Sequence, residues 1–266
     1  MSILKYLVEL MFSEKIANRI RHIVAILRGA DYGFLRSPTY NDDGLVTQHV
    51  CSFMNDPVFL RAYQSGAATG ALRTHPGNIH WRAYVACWAA KRAMSLKGDF
   101  CECGVSLGLL SRAIVEYVDF GADETRSFYL FDTFQGIPEE VLSSQEKALG
   151  IDNSFFAYAE CYEEVKRTFS AYPNVKLVRG KVPESFSECS IDSVAYLSID
   201  MNNAYSEIAA AEYFWDRLVS GAIVILDDYA YAEQFSQQRV AFDKFCADRG
   251  VQVLTLPTGQ GLIFRP

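Results

Sequence analysis

The 266-residue sequence predicts an α/β fold: a mostly parallel, seven-stranded sheet with an antiparallel last strand, preceded by an N-terminal helical extension. Three observations carry this expectation. The composition is that of a globular chain, half hydrophobic and one fifth charged. From Phe100 onward, short apolar runs alternate with amphipathic stretches of helical length, the signature of repeated strand–helix units. The last two apolar runs are separated only by Pro257-Thr258-Gly259-Gln260, a hairpin connection that reverses the final strand.

Each element follows from its pattern. Residues 1–30 place Ile3, Leu4, Leu7, Val8, Met11, Phe12, Ile16, Ile20, Ile23, Ile26 and Leu27 at helical spacing. Five basic residues against two acidic ones make this segment locally +3, so a membrane-surface helix is one reading. Packing on the same domain or on a second copy is the preferred one, and the broad apolar stripe points to a homodimer. Residues 31–77 are rich in Gly, Asn, Asp, Ser and Thr, with one helical piece near Asp56–Tyr63, and read as an irregular cover. Residues 78–97 form a helix closed by Gly98. Strands are then expected at Phe100–Cys103, Ser127–Phe131, Val175–Val178, Val194–Ile199, Ala222–Leu226, Val251–Leu256 and Gly261–Phe264. Helices fit at Leu107–Tyr117, Phe155–Tyr172, Tyr205–Val219 and Ala232–Arg249. The domain division is thus an extension over 1–77 and the α/β domain over 78–266.

Charge and cysteine content narrow the function. A net charge of −7 argues against a dedicated nucleic-acid binder. No stretch is long and apolar enough for a transmembrane span, and the N-terminus lacks a signal-peptide core, so a cytoplasmic location is expected. Seven scattered cysteines include one close pair, Cys101 and Cys103, without the second pair or His pair a zinc site needs. Buried free thiols in a reducing compartment are the expectation.

The segment GDFCECGVSLGLLSRAI (98–114) sets Glu102, Gly104, Ser106 and Gly108 at a strand-to-helix junction, where backbone N–H groups face a ligand. An ordinary tight turn would read the same way. Glu-x-Gly-x-x-x-Gly differs from the dinucleotide fingerprint and resembles the first motif of class I S-adenosylmethionine (SAM) methyltransferases. That resemblance implies that Gly104 approaches the methionine end of SAM and Glu102 holds its ammonium, with Ser106 adding a hydrogen bond. The next strand ends in Asp132, where a carboxylate can accept ribose hydroxyls or equally cap a turn. The third ends in Gly180-Lys181, at the expected adenine edge.

The fourth and fifth strands end in Asp200 and in Asp227-Asp228. A doubly wound sheet sets these ends side by side, and three anions together raise one another's pKa. No Arg or Lys is nearby in the sequence to compensate, so the reading is three oxygen ligands for Mg²⁺. The plainer alternative has one Asp capping a helix and the others solvated.

The motifs GDFCECGV, FDTFQGIPE, LSID and ILDDY together resemble the macrocin O-methyltransferase family over about residues 78–266. The resemblance implies a Mg²⁺-dependent SAM O-methyltransferase acting on a hydroxyl, most simply a sugar hydroxyl in a glycoside, polysaccharide or natural product. It makes Asp200, Asp227 and Asp228 the metal ligands, and Glu102, Gly104 and Asp132 part of the SAM site. Asn202 stands where relatives carry an acid proposed as general base, which leaves Asp200, Asp228, water, or His75 and His80 of THPGNIHWR to take the proton. Residues 135–160 read as a substrate-shaping lid, with Tyr158, Tyr205, Tyr229 and Tyr231 available to stack on sugar faces. Two alternatives stand beside this: a related hydroxylase-type enzyme of antibiotic biosynthesis, and a SAM-binding protein without catalysis.

Overall fold

A computed structural model describes residues 38–73, 77–153 and 159–266. The N-terminal helical stripe, with the dimerisation and membrane readings attached to it, lies outside the described residues, as do His75 and Tyr158. The chain divides into two compact units, Asp42–Leu45 with Cys51–Pro266, and Met1–Asn41 with Val46–Val50. The larger unit carries everything below. Its first part is the turn of a short hairpin formed by β1 (Tyr40–Asp42) and β2 (Leu45–Thr47).

Helix α1 (Pro57–Ala67) starts where the Asp56 side chain accepts the Val58 N–H at 2.8 Å. It belongs to the larger unit. Gly66 is the reason it can pack so tightly: a Cβ there would collide with the Leu109 carbonyl oxygen and lie 3.2 Å from the Ala113 Cβ. Helix α2 (His80–Ala93) buries a face of Ala83, Ala86, Cys87, Ala90 and Ala93, together with Arg82.

The sheet comprises β3 (Asp99–Cys103), β4 (Phe128–Asp132), β5 (Val175–Arg179), β6 (Val194–Ile199), β7 (Leu218–Leu226), β8 (Leu254–Thr255) and β9 (Gly261–Phe264), ordered β5-β4-β3-β6-β7-β9-β8. β3 through β7 are parallel, and β9 enters antiparallel between β7 and β8. Helices α3 (Leu109–Tyr117), α4 (Ser144–Ala148), α5 (Tyr162–Phe169), α6 (Ala204–Trp215) and α7 (Ser236–Ala247) connect the strands. Helix α6 stops short of its expected end because Leu218 and Val219 belong to β7, where Leu218 pairs with Val194. All seven cysteines are free, five of them buried.

Register decides where the chemistry sits. Phe131, Cys103, Ile199 and Leu226 stand abreast on neighbouring strands. One residue further on, Gly104 donates its N–H to Phe131 O at 2.8 Å, Asp200 to Cys103 O at 2.8 Å, and Asp227 to Ile199 O at 3.0 Å. Asp132, Gly104, Asp200 and Asp227 therefore end their strands in one row, with adjacent backbones about 4.8 Å apart.

Gly66→Val should lower unfolding stability by about 1–3 kcal/mol through overpacking of α1 on α3, read by urea denaturation.

Candidate active site

A cavity of about 290 Å³ runs across the carboxyl ends of β3, β4, β5 and β6. Gly104, Ser106, Asp132, Gly180, Lys181 and Asp200 all line it. The backbone at Gly104 has φ +90°, and a Cβ would collide with the Asp200 carbonyl oxygen, so the glycine is required by strand-end packing before any ligand is considered. Asp132 makes the turn contacts of one of its two expected readings. Its Oδ2 accepts the N–H of Val105 at 2.6 Å and of Ser106 at 2.8 Å, and its Oδ1 accepts the Phe134 N–H at 2.7 Å. It clamps the glycine turn to the turn that follows β4, and each oxygen keeps limited capacity for a ligand.

Glu102 is 2 % exposed and lies two residues before Gly104, and its Oε2 finds no hydrogen-bond donor among the described residues. Burial pushes its carboxyl up to about 8, with Asp200 and Asp132 adding to the rise and Ser111 opposing it. An orphaned buried acceptor at this point fits the ammonium of an amino-acid-bearing cofactor, so the residues present fit SAM.

The second part of the site is the carboxylate cluster, where the structure departs most from the sequence expectation. Arg82, from α2, is buried beside all of it. Its Nε donates to Asp227 Oδ1 at 3.3 Å, and its Nη2 forms an ion pair with Asp227 Oδ2. Nη2 also lies 3.8 Å from Asp228 Oδ1, and Nη1 lies 3.9 Å from Asp43 Oδ1. The Tyr231 ring covers the guanidinium at 5.0 Å, and the Tyr231 hydroxyl donates to Asp43 at 2.8 Å. Asp227 Oδ1 accepts a further hydrogen bond from Gln260 Nε2 at 2.8 Å.

The expectation of a Mg²⁺ site rested on three clustered carboxylates, the lack of a nearby cation in the sequence and the family resemblance, and the fold brings a cation from more than a hundred residues away. As arranged, the donor set does not fit that ion. Asp227 Oδ1 is taken by Arg82 and Gln260, while buried Oδ2 has the Arg82 ion pair but no hydrogen bond, and among the described residues no three His, Cys, Asp or Glu side chains form a metal-ligand group. Burial still dominates the remaining acids. It raises the Asp228 carboxyl well above the usual range, with Asp200 adding and Arg82 opposing. It raises Asp200 too, against the opposing charge of Arg82.

The loop after β6 is held from beneath. Glu207 Oε1 accepts the N–H of Met201 and of Asn202, each at 3.0 Å, and Gln238 Nε2 at 2.9 Å. Asn203 caps α6 by accepting the Ser206 N–H at 2.8 Å. Asn202, left-handed at φ +58°, points its Nδ2 at Asp200 Oδ1, 3.2 Å away. The residue that cannot take a proton thus orients the one that can.

The described part of the segment expected to be a lid packs against the loop after β6. Buried Glu146 closes a capping box on Ser143 and also accepts the Ala204 N–H at 2.7 Å, joining α4 to the start of α6. Ile137, Leu142 and Ile151 pack with Phe235, which follows the paired aspartates.

His80 does not line the cavity. It begins α2 with its ring 4.1 Å from that of Tyr63, and burial lowers its pKa against an opposing Asp42 charge. Tyr205 is exposed and Tyr229 donates to Asp243, so of these tyrosines Tyr231 stands in the charge cluster. Sequence reasoning missed Arg82, Asp43, Glu146, Glu207 and Gln260. A lone arginine on an alanine-rich helix face, the face that otherwise becomes core, was the one available signal for Arg82.

A parallel sheet with an antiparallel β9 between β7 and β8, and a ligand cavity over its carboxyl ends, defines the class I methyltransferase fold. The sequence profile of the macrocin-O-methyltransferase (TylF) family matches residues 76–256, and the chain belongs to that family. It is an O-methyltransferase by that membership. A comparison with curated proteins finds no match. Among solved structures, the O-methyltransferase NovP is similar at 24 % identity and TM-score 0.59, covering 69 % of this chain and 79 % of NovP. Apo CalS11, a TDP-rhamnose 3'-O-methyltransferase of calicheamicin biosynthesis, has 14 % identity and TM-score 0.51 over 95 % of each chain. An O-methyltransferase from Bacillus cereus in complex with SAH has 12 % identity and TM-score 0.50, covering 80 % of this chain and 96 % of that one. At these identities the likeness to solved structures concerns the fold.

Burial holds the Glu207 carboxyl at about 8 against a reference of 4.5, despite three N–H donors. The folded state then keeps a proton that the unfolded chain releases, so this contribution to stability is whole below pH ~4.5 and is lost as pH rises through 8. Glu207→Gln has no such loss. Relative to the native protein it should gain on the order of 1 kcal/mol or more between pH 5 and pH 9, measured by denaturant unfolding at both values.

Proposed function

We propose that the protein transfers a methyl group from SAM to a hydroxyl of a sugar, in a glycoside, glycan or natural product. One observation carries the reading: Asp200 stands both on the cavity wall and in the charge cluster around Arg82. Family membership supports the reaction type, and the sugar acceptor named for CalS11 supports the substrate class.

When bound, SAM supplies an electrophilic methyl on its sulfonium. The chain's own groups do the rest. Glu102 takes the ammonium as its counter-charge, Gly104 and Ser106 form the floor, Asp132 faces the ribose with its remaining lone pairs, and Gly180 and Lys181 border the adenine. Asp200 accepts the proton as the acceptor oxygen bonds to the methyl, and its raised pKa suits that task. Asn202 keeps the Asp200 carboxylate turned toward the reacting oxygen, and the docked lid excludes water. S-adenosylhomocysteine is the by-product. No helix among the described residues is long and apolar enough to cross a membrane, and with free thiols throughout we place the reaction in the cytoplasm.

The test uses labelled SAM with a panel of nucleotide sugars and glycosides. Transfer to at least one sugar hydroxyl is expected, and no transfer to any acceptor rejects the reading. Asp200→Asn should lower kcat by about 10²–10⁴-fold while SAM affinity, read by calorimetry, stays within about threefold. Full activity in that variant would remove Asp200 from the reaction.

A further inference from the structure

The carboxylates at the ends of β6 and β7 resemble an open cation site in sequence and a filled one in space. Arg82 meets Asp227 through Nε and Nη2, reaches Asp228 at 3.8 Å and Asp43 at 3.9 Å, and is roofed by Tyr231. Such a guanidinium is held by three carboxylates and one ring. Gln260 holds Asp227 in the orientation that faces it, since its Nε2 donates to the same oxygen that Nε engages. A small divalent ion needs near-octahedral oxygen geometry and open positions. Here it would have to share Asp227 with a fixed positive charge within contact distance, and like charges that close in a buried site repel strongly.

We infer that Arg82 is the resident counter-cation of the Asp200–Asp227–Asp228 cluster, and that it excludes divalent metal from these carboxylates. The chain carries its own cation at the position where the family resemblance implies a bound metal. Arg82 is therefore a positioning residue, acting through Asp227 on the geometry of its neighbours. This inference concerns metal affinity alone and holds or fails independently of the acceptor proposed above.

The experiment titrates Mn²⁺ into the intact protein without SAM or acceptor, reading bound Mn²⁺ by electron paramagnetic resonance and the thermal midpoint in parallel. The native protein should bind Mn²⁺ no more tightly than about 1 mM and show no Mn²⁺-dependent rise in midpoint. Arg82→Met removes the charge and keeps an unbranched stem, and should bind Mn²⁺ at least tenfold more tightly with a rise of several degrees. Arg82→Gln, which keeps a donor toward Asp227, is the second variant should the methionine variant fold poorly. Adding Asp228→Asn to either should erase the gain, which places the ion in this cluster. Micromolar Mn²⁺ binding by the native protein overturns the inference, as does the absence of any gain in both Arg82 variants. Arg82→Lys retains the charge and should behave as the native protein does; a tightened site in that variant also overturns it.

Discussion

A single buried guanidinium lets the carboxyl ends of this sheet exist as they do. In-register parallel strands bring Asp200 and Asp227 onto neighbouring ends, and Asp228 follows at once. Three acids in a volume with little water are pushed up in pKa by burial and by one another, and a positive charge among them opposes that rise. Arg82 is that charge, and its requirements propagate outward. Helix α2 must present it at the strand ends, the Asp42–Leu45 turn must bring Asp43, and the β8–β9 hairpin must bring Gln260. Tyr231 then joins the two sides by covering the guanidinium and donating to Asp43. Segments far apart in sequence are thus held to one another by a shared electrostatic demand.

Two other buried acids perform structural work of the same kind. Glu207 gathers the backbone N–H groups of Met201 and Asn202 and the side chain of Gln238, so the loop that follows β6 is tied to α6 and α7. Glu146 serves two helix starts at once and ties α4 to that loop. Preorganisation of this sort matters for methyl transfer, where alignment of three atoms supplies much of the rate. The Asp200 carboxylate accepts a hydrogen bond from Asn202 on that same loop.

The cofactor half of the site shows how one residue can satisfy two constraints. Gly104 is a glycine because the Asp200 carbonyl lies where a Cβ would stand, and the same absence leaves the cavity floor low. Asp132 closes the turn by accepting three backbone N–H groups, so its position at the cavity wall is a consequence of folding as much as of recognition. Family membership and the matching sheet order agree with that organisation.

By itself the sequence determined the strand–helix alternation, the reversed last strand, and which residues end the strands at the crevice. These follow from local periodicity and turn chemistry, which act over a few residues and are written directly in the chain. Gly104, Ser106, Asp132, Gly180, Lys181 and Asp200 were found by counting along strands, and all of them line one cavity. What stands opposite each carboxylate was decided only in three dimensions. Arg82 and Asp227 are separated by most of the domain in sequence, Glu146 and Ala204 by 58 residues, and no local pattern marks either pair. Charge compensation in a buried site depends on distance through space, so the partner of ILDDY became visible only once helix α2 had packed against the sheet.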